Sequence, residues 1–199
     1  GANATVGHGL GVTPKMYIVK NRDQTGDWCV YHEDTGATHY TLLNTTNAKI
    51  DNATIWNDIA PTSSTFSIGS YLYGNTIKYI AYCFAEVEGY SKFGSYTGNG
   101  STDGTFVYTG FRPAFVMLKR TDSTGSWELY DSTRDSSNAV IRFSVPNSSE
   151  AELSNSNVRL DFTSNGFKLR MSRVAVNASG GTYIYMAFAE SPFKYANAR

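Results

Sequence analysis

The chain contains one internal repeat. Residues 14–31 (PKMYIVKNRDQTGDWCVY) recur without a gap at 113–130 (PAFVMLKRTDSTGSWELY), 99 residues later. A second block, YIAYCFAE at 79–86, recurs as YIYMAFAE at 183–190, and between the blocks STF at 64–66 corresponds to NGF at 165–167. Similar blocks in the same order and at similar spacing indicate a duplicated unit of about 90 residues.

The repeated segment has the pattern of a β-hairpin. Met16–Lys20 and Phe115–Lys119 are apolar runs of strand length, and each ends in a lysine. An Asp-x-Thr-Gly turn follows, and Trp28 and Trp127 then begin a second strand as core anchors. The composition, with 14 tyrosines, 11 phenylalanines and 18 glycines, also favours strands and tight turns over helices. The sequence therefore predicts an all-β protein.

Turn signals divide each repeat into about six strands, which is typical of a β-sandwich or barrel. The predicted first unit spans residues 1–97, a glycine-rich connector spans 98–104, and the second unit spans 105–199. Because a unit of this size is marginally stable alone, we expect the two homologous units to pack together. Two small sandwiches and one fused jelly roll both fit this pattern.

Charge and hydropathy argue against two classes of partner. The chain has 17 basic and 17 acidic residues, so no long-range positive field attracts nucleic acid. It has no apolar run long enough for a membrane helix, and its first residues do not resemble a signal peptide. We predict neither nucleic-acid binding nor membrane insertion.

Motifs for catalysis, metals and cofactors are absent from the sequence. The three histidines lack partners at metal-ligand spacing, and no glycine-rich phosphate loop or nucleophile elbow is present. Glu86 and Glu190 occupy equivalent repeat positions, which favours a structural role over a glycosidase pair. Cys29 and Cys83 lie in apolar strand-like runs, where a buried free thiol is more common than a disulfide. We predict a non-enzymatic protein without metal or cofactor.

Aromatic residues are the candidates for ligand binding. Aromatic faces beside small polar residues can stack on sugar rings, although packing in the core is the alternative role. The candidates are the unrepeated Trp56, Tyr71 and Tyr73 of SYLYG, and Tyr90, Phe93 and Tyr96 of YSKFGSY.

Long strings of this sequence resemble a domain family of uncharacterised function. It is found in tail-fibre-like and other virion structural proteins of marine bacteriophages. The similarity covers nearly the whole chain and is carried by GVTPKMYIVKNR, TGDWCVYH, LLNTTNA, IWNDIAPTSSTFSIG, YCFAEVEGYSKFGSYTGNG and NASGGTYIYMAFAESPF. The resemblance implies a virion-associated, concanavalin-like or jelly-roll β module, made in the host cytoplasm and displayed on an extracellular appendage. It implies no catalytic or binding residues.

Three functions fit these observations. The first is an attachment module that contacts a host surface glycan or receptor. The second is a structural building block that self-assembles, or binds other virion proteins, in a fibre, tube or capsid decoration. The third is a glycan hydrolase, which the missing acid/base pair disfavours. We expect the first, in an oligomeric protein.

Overall fold

The structure is a computed structural model that describes residues 3–72 and 77–191. Strands dominate these residues and pair in several antiparallel sheets, so the all-β prediction is confirmed. The chain divides into two compact units after Ala85. Each unit is described by itself below.

The first unit contains a five-stranded sheet in the order β5-β4-β3-β2-β7 and a two-stranded sheet of β1 and β6. One short 3-10 helix, Glu33–Thr35, follows β3. The strands are β1 (Ala4–Gly7), β2 (Met16–Asn21), β3 (Trp28–His32), β4 (His39–Leu42), β5 (Ile50–Asp51), β6 (Thr65–Ile68) and β7 (Tyr79–Phe84).

Aromatic side chains from both sheets form the core of the first unit. Tyr17 of β2 stacks on Tyr31 of β3 with ring centroids 4.5 Å apart, and Phe66 of β6 lies 4.7 Å from the same Tyr17 ring. These side chains point to one face because residues alternate along a strand. The predicted β2–β3 hairpin is thereby confirmed, with Tyr17 opposite Tyr31.

The second unit contains a four-stranded sheet in the order β11-β10-β16-β8, a three-stranded sheet β14-β15-β9, and the pair β12-β13. A one-turn helix, α1 (Val174–Asn177), precedes the last strand. The strands are β8 (Ser91–Thr97), β9 (Phe106–Tyr108), β10 (Pro113–Arg120), β11 (Glu128–Asp131), β12 (Arg142–Phe143), β13 (Leu153–Ser154), β14 (Leu160–Thr163), β15 (Gly166–Leu169) and β16 (Thr182–Ala189).

The repeated blocks pair in the same register in both units. Tyr17 lies opposite Tyr31 and Cys83, and Val116 lies opposite Tyr130 and Ala187 at the corresponding repeat positions. Side-chain contacts match as well.

The tryptophans and the turn aspartates make these matching contacts. The Trp28 amide donates to Asn44 Oδ1 at 2.9 Å, and the Trp127 amide donates to Asn147 Oδ1 at 2.7 Å. The turn aspartates Asp23 and Asp122 accept the Lys78 and Thr182 amides, respectively. In each unit the turn aspartate therefore also ties the hairpin turn to the start of the last strand.

The boundary between the units differs from the predicted one at residue 97. Ser91–Thr97 form β8, which pairs along β16 in the second unit, because Phe93 and Tyr96 lie opposite Met186 and Tyr183. Residues 98–104 do not connect the units. They form a loop within the second unit, where Gly98 exchanges backbone hydrogen bonds with Gly180 and Gly181.

Asn177, a fully buried residue of α1, holds this loop in place. Its Oδ1 accepts the Asn99 amide at 3.0 Å, and its Nδ2 donates to the Ser101 carbonyl at 2.9 Å. The same Nδ2 lies 2.7 Å from the Met171 carbonyl. One buried amide thus satisfies backbone groups that a flexible connector would leave to water.

Both cysteines are free thiols. Cys29 faces Val19 from β3 and Cys83 faces Tyr17 from β7, so they lie on opposite sides of the central strand β2. Burial raises the pKa of the Cys29 thiol to about 12. The free-thiol interpretation of the sequence is confirmed.

Lys119 is buried in the second unit, and its burial predicts that the stability of the protein depends on pH in the alkaline range. Its Nζ donates to the Gly125 carbonyl at 2.6 Å, and burial lowers its pKa to about 8. Between about pH 8 and 10.4 the unfolded chain therefore binds more protons than the folded chain, so this group adds stability as pH rises.

The quantity to compare is the difference in the free energy of unfolding between the wild type and Lys119→Met. We expect this difference, wild type minus variant, to increase by about 1–2 kcal/mol from pH 7.5 to 10. Urea denaturation at a series of pH values measures this difference, in which the titration of buried tyrosines and cysteines cancels. A difference that stays flat or falls over this range would contradict the buried-lysine assignment.

Candidate functional site

Three of the predicted aromatic ligand residues are core residues, which corrects that prediction. Trp56 is fully buried, and its Nε1 donates to the His39 carbonyl at 3.1 Å. Tyr96 is buried, stacks on Tyr183 at 4.9 Å and donates its hydroxyl to the Val176 carbonyl. Phe93 is buried as well. Rings in these positions cannot stack on a sugar unless the core opens.

Two other predicted residues are accessible. Tyr71 is 40% exposed and borders a small cleft of about 320 Å³ in the first unit, which Asn21 and Asp27 also line. Tyr90 is 39% exposed and lies just before β8, with its ring 5.7 Å from that of Phe188. Tyr73 lies outside the described residues. Among the described candidates, each unit therefore keeps one accessible aromatic residue, Tyr71 in the first unit and Tyr90 in the second.

The larger cavity lies in the second unit and is lined mainly by polar side chains. This open groove of about 760 Å³ is formed by the turn before β14, by β14 itself and by the residues after β15. We call it the arginine groove, because Arg159, Arg170 and Arg173 line it together with a single carboxylate, Asp161. The remaining lining residues are Thr102, Ala139, Asn155, Ser156, Asn157, Val158, Met171 and Ser172.

Arg170 is held in the groove by carboxylates. Its Nε donates to Asp161 at 2.6 Å, and its Nη1 lies 3.4 Å from Asp103 of the 98–104 loop. The hydrogen bond to Asp161 raises the pKa of the Arg170 guanidinium. Asp103 also pairs with Lys168 at 2.6 Å, and this lysine lowers the pKa of the exposed Asp103 carboxyl. The ion pairs fix the position of a charge that could otherwise move with a flexible side chain.

Arg173 is anchored from below by a buried carboxylate. Its Nη1 lies 2.5 Å from Glu128 Oε1, and Glu128 has 0% exposure. Tyr130 donates its hydroxyl to the other Glu128 oxygen at 2.5 Å. Burial raises the pKa of Glu128, although Arg173 and the Tyr130 hydroxyl oppose that shift. A buried charge of this kind requires its partner, so the ion pair keeps the Arg173 guanidinium at the groove, although its Nη1 and Glu128 Oε1 do not meet hydrogen-bond geometry.

Arg159 is the third arginine of the groove, and it is exposed. Its Nε donates to the Ser156 carbonyl at 2.7 Å, and the described residues place no carboxylate within ion-pair distance of its guanidinium. Its backbone carbonyl accepts the Arg170 amide at 2.9 Å, which keeps the two arginines adjacent. Arg159 therefore provides a positive charge that is not neutralised in this part of the protein.

The first unit repeats the backbone hydrogen bond that joins Arg170 to Arg159. Gly69 donates its amide to the Ile55 carbonyl at 2.8 Å, as Arg170 does to Arg159. A Cβ on Gly69 would lie 2.0 Å from the Thr54 carbonyl oxygen, so the loop is closed tightly over this position. The residues that correspond to the three arginines are Ile55, Gly69 and Leu72. The charged groove is therefore a property of the second unit.

The carboxylates considered as catalytic groups lie elsewhere. Glu86 pairs with Lys92 at 2.7 Å and Glu190 pairs with Arg112 at 2.9 Å. Neither residue lines the groove or the Tyr71 cleft. Within residues 3–72 and 77–191, no three histidine, cysteine or carboxylate side chains cluster as a metal site requires.

The sequence patterns of sugar-binding and glycosidase sites consist of aromatic residues and carboxylates, so they do not predict the arginine groove. A signal for it was present in the sequence: Arg170 and Arg173 follow the repeated strand where the first copy has Gly69 and Leu72. Comparing charges position by position between the two copies would have found these two residues. Arg159 lies outside the blocks that align by eye, and its counterpart is evident only from the matching backbone hydrogen bond.

Comparison with known proteins gives a family but no characterised relative. A search of curated proteins and of solved structures gives no significant match. In the described part of the chain, no helix has the length and apolar character needed to cross a bilayer. A model of a domain of unknown function, DUF7483, matches residues 1–192, and the chain therefore belongs to that family.

Proposed function

We propose that this domain is a non-enzymatic virion attachment module that contacts a host surface glycan through the arginine groove. The observation that carries the proposal is the groove itself, a wide polar cavity lined by three arginines and by amide and hydroxyl side chains. Such donors, grouped where β14 begins and β15 ends, suit the dense hydroxyl groups of a sugar chain. The virion setting rests on the sequence resemblance described above.

A binding role is favoured over hydrolysis by the state of the nearby carboxylates. Asp161 forms an ion pair with Arg170, and Glu128 is buried in contact with Arg173 and Tyr130. A glycosidase needs two carboxyl groups that flank the scissile bond and reach the substrate. Carboxylates whose oxygens already bind arginines serve to position those arginines instead.

We also propose that the two units are duplicated copies of one β-sandwich of the jelly-roll type. Support comes from the shared registers of β2, β3 and β7 with β10, β11 and β16. The Trp–Asn hydrogen bonds occur at matching positions as well. In this interpretation one copy kept a closed loop and the other acquired the binding groove.

A glycan array tests the attachment function. The purified domain should bind at least one class of glycan, and the Arg159→Gln/Arg170→Gln double variant should lose at least about 90% of that signal. Arg22→Gln, which removes an exposed arginine of the first unit, is the matched control and should bind normally. Absence of any glycan signal, or release of reducing ends from a bound polysaccharide, would contradict the proposal.

A self-assembling building block is the second candidate, and β9 favours it. This strand lies at the edge of its sheet and carries Phe106 and Tyr108, of which Tyr108 is 63% exposed. Exposed aromatics on an edge strand are suited to pairing with another strand. Light scattering decides between the candidates: a stable oligomer that Tyr108→Lys dissociates, together with no glycan signal, would favour the building block.

A further inference from the structure

We propose that the arginine groove selects glycans that carry an anionic group, either a carboxylate or a sulfate, and that Arg159 is the residue that binds it. This inference rests on the proposed glycan-binding function and adds the chemical class of the ligand. It is carried by the charge balance of the groove, by the fixed positions of two of its arginines, and by the different character of the first unit.

The charge balance of the groove is positive although the chain as a whole is neutral. Three arginines and one aspartate line it, and Arg170 already pairs with that aspartate. Arg173 pairs with Glu128, which lies beneath the groove. The charge left without a carboxylate partner among the described residues is that of Arg159. A ligand that supplies an anion pairs with the charge of Arg159, whereas a neutral sugar leaves that charge without a partner.

The two anchored arginines retain donors for the same anion. A guanidinium has five N–H groups, and the carboxylate contacts described use Nε and Nη1 of Arg170 and Nη1 of Arg173. Because their carboxylate partners hold them, these side chains lose little further freedom when a ligand binds. A carboxylate or sulfate bound by Arg159 can therefore accept additional hydrogen bonds from groups already in place.

The other groove residues favour a sugar over a nucleic acid. Asn155, Ser156 and Ser172 present amide and hydroxyl groups around the arginines, and none of the described residues that line the groove is aromatic. Proteins that bind single-stranded nucleic acid combine positive charge with aromatic platforms on which bases stack. Asp103 and Asp161 would also repel a continuous phosphate backbone. A sugar with an isolated acidic group needs no aromatic platform and brings no continuous row of negative charges near these aspartates.

The first unit provides an internal reference for this assignment. Its equivalent positions, Ile55, Gly69 and Leu72, carry no charge. The Thr54 carbonyl oxygen also occupies the space that a side chain at Gly69 would need. We therefore expect one anion site per chain, in the second unit.

Isothermal titration calorimetry of the full chain tests the inference with matched probes. Trigalacturonate and its methyl ester share a sugar backbone and differ in charge, so we expect the acid to bind at least about tenfold more tightly than the ester. Arg159→Gln should remove this preference, Arg159→Lys should keep part of it, and Arg22→Gln should leave it unchanged. A sulfated galactose trisaccharide distinguishes a preference for sulfate from one for carboxylate. Binding at one site per chain that weakens as salt is raised is also expected.

Several results would overturn the inference. Equal binding of the acid and its methyl ester would refute the anion selectivity while leaving glycan binding intact. Tighter binding of a short single-stranded oligodeoxynucleotide than of either acidic sugar would assign the groove to nucleic acid. If no sugar probe binds and the glycan array is also blank, the proposed function fails together with the inference. A folded Arg159→Gln variant, verified by circular dichroism, that retains full acid preference would remove Arg159 from the site.

Discussion

Replacing Arg173 with leucine is expected to lower the free energy of unfolding by about 3 kcal/mol at neutral pH. The substitution removes the cation from Glu128, which is completely buried and would keep only the Tyr130 hydroxyl as a partner. The cost arises because an unpaired carboxylate in the core cannot be stabilised by water. Urea denaturation of the full chain, monitored by tryptophan fluorescence, measures the loss.

The loss should become smaller as the pH is lowered. Burial raises the pKa of Glu128 in the folded protein, and removal of Arg173 raises it further because the attraction of the cation is lost. Above the ordinary glutamate pKa of about 4.3 the folded variant then binds more protons than its unfolded chain, so its stability increases as pH falls through the raised pKa. The deficit at about pH 5 should be clearly smaller than at pH 7.

A double variant provides the control. Glu128→Cys/Arg173→Leu installs the residues that the first unit has at the same positions, Cys29 and Leu72. Because it removes the buried charge along with its partner, we expect it to recover at least about half of the lost stability. A double variant that is less stable than Arg173→Leu alone would show that the carboxylate stabilises the core without its arginine, contrary to this account.

Gly69→Ala is expected to destabilise the first unit by about 3 kcal/mol or more. The new methyl group would lie 2.0 Å from the Thr54 carbonyl oxygen and 2.6 Å from Asn57 Oδ1. Since the nearest atom belongs to the backbone, no side-chain rotation can relieve the overlap, and the loop that contains Trp56 must shift.

Gly26→Ala is the matched control, because a Cβ at Gly26 would meet its nearest neighbour, Asn21 Cβ, at an ordinary 4.0 Å. This variant should change the stability by less than about 1 kcal/mol. Thermal unfolding followed by circular dichroism compares the two glycine variants. Similar midpoints for both would mean that the loop over Gly69 is looser than described.

The sequence predicts the repeated strands well because their information is local and occurs twice. Met16–Lys20 and Phe115–Lys119 are short apolar runs followed by turn residues, and the structure forms β2 and β10 there. The recurrence of the pattern in the same order strengthens this prediction, because the same run of apolar and turn residues appears at two places in the chain. The repeat predicts both tryptophans as core anchors, but this is confirmed only for Trp127, which is buried. Trp28 is half-buried, and its ring lies 6.3 Å from that of the exposed Tyr82.

The boundary between the units could not be predicted, since it depends on pairing between distant residues. Glycines and polar residues at 98–104 have the composition of a linker. The structure makes this segment an ordered loop because Asn177, more than 70 residues away in the chain, binds its backbone. Composition indicates that a segment can bend, but it does not indicate which buried amide will hold the bend.

The candidate site could be predicted only in part, because exposure is a tertiary property. Trp56 and Tyr96 have the residue type of a sugar platform, yet each ring is buried and each polar atom is satisfied by a carbonyl. The arginines of the groove lie on two segments, Arg159 just before β14 and Arg170 and Arg173 just after β15. They come together through sheet pairing, which single-sequence patterns do not reveal.

The position of β8 has a practical consequence for dividing this protein into fragments. The glycine-rich segment at 98–104 looks like the natural place to cut, but a fragment that starts there would lack β8. It would leave the backbone N–H and C=O groups along one side of β16, an eight-residue strand rich in aromatics, without partners. Such an edge templates aggregation by recruiting strands from other copies. A cut after Ala85 keeps β8 paired along β16 and leaves the four-stranded sheet of the second unit whole.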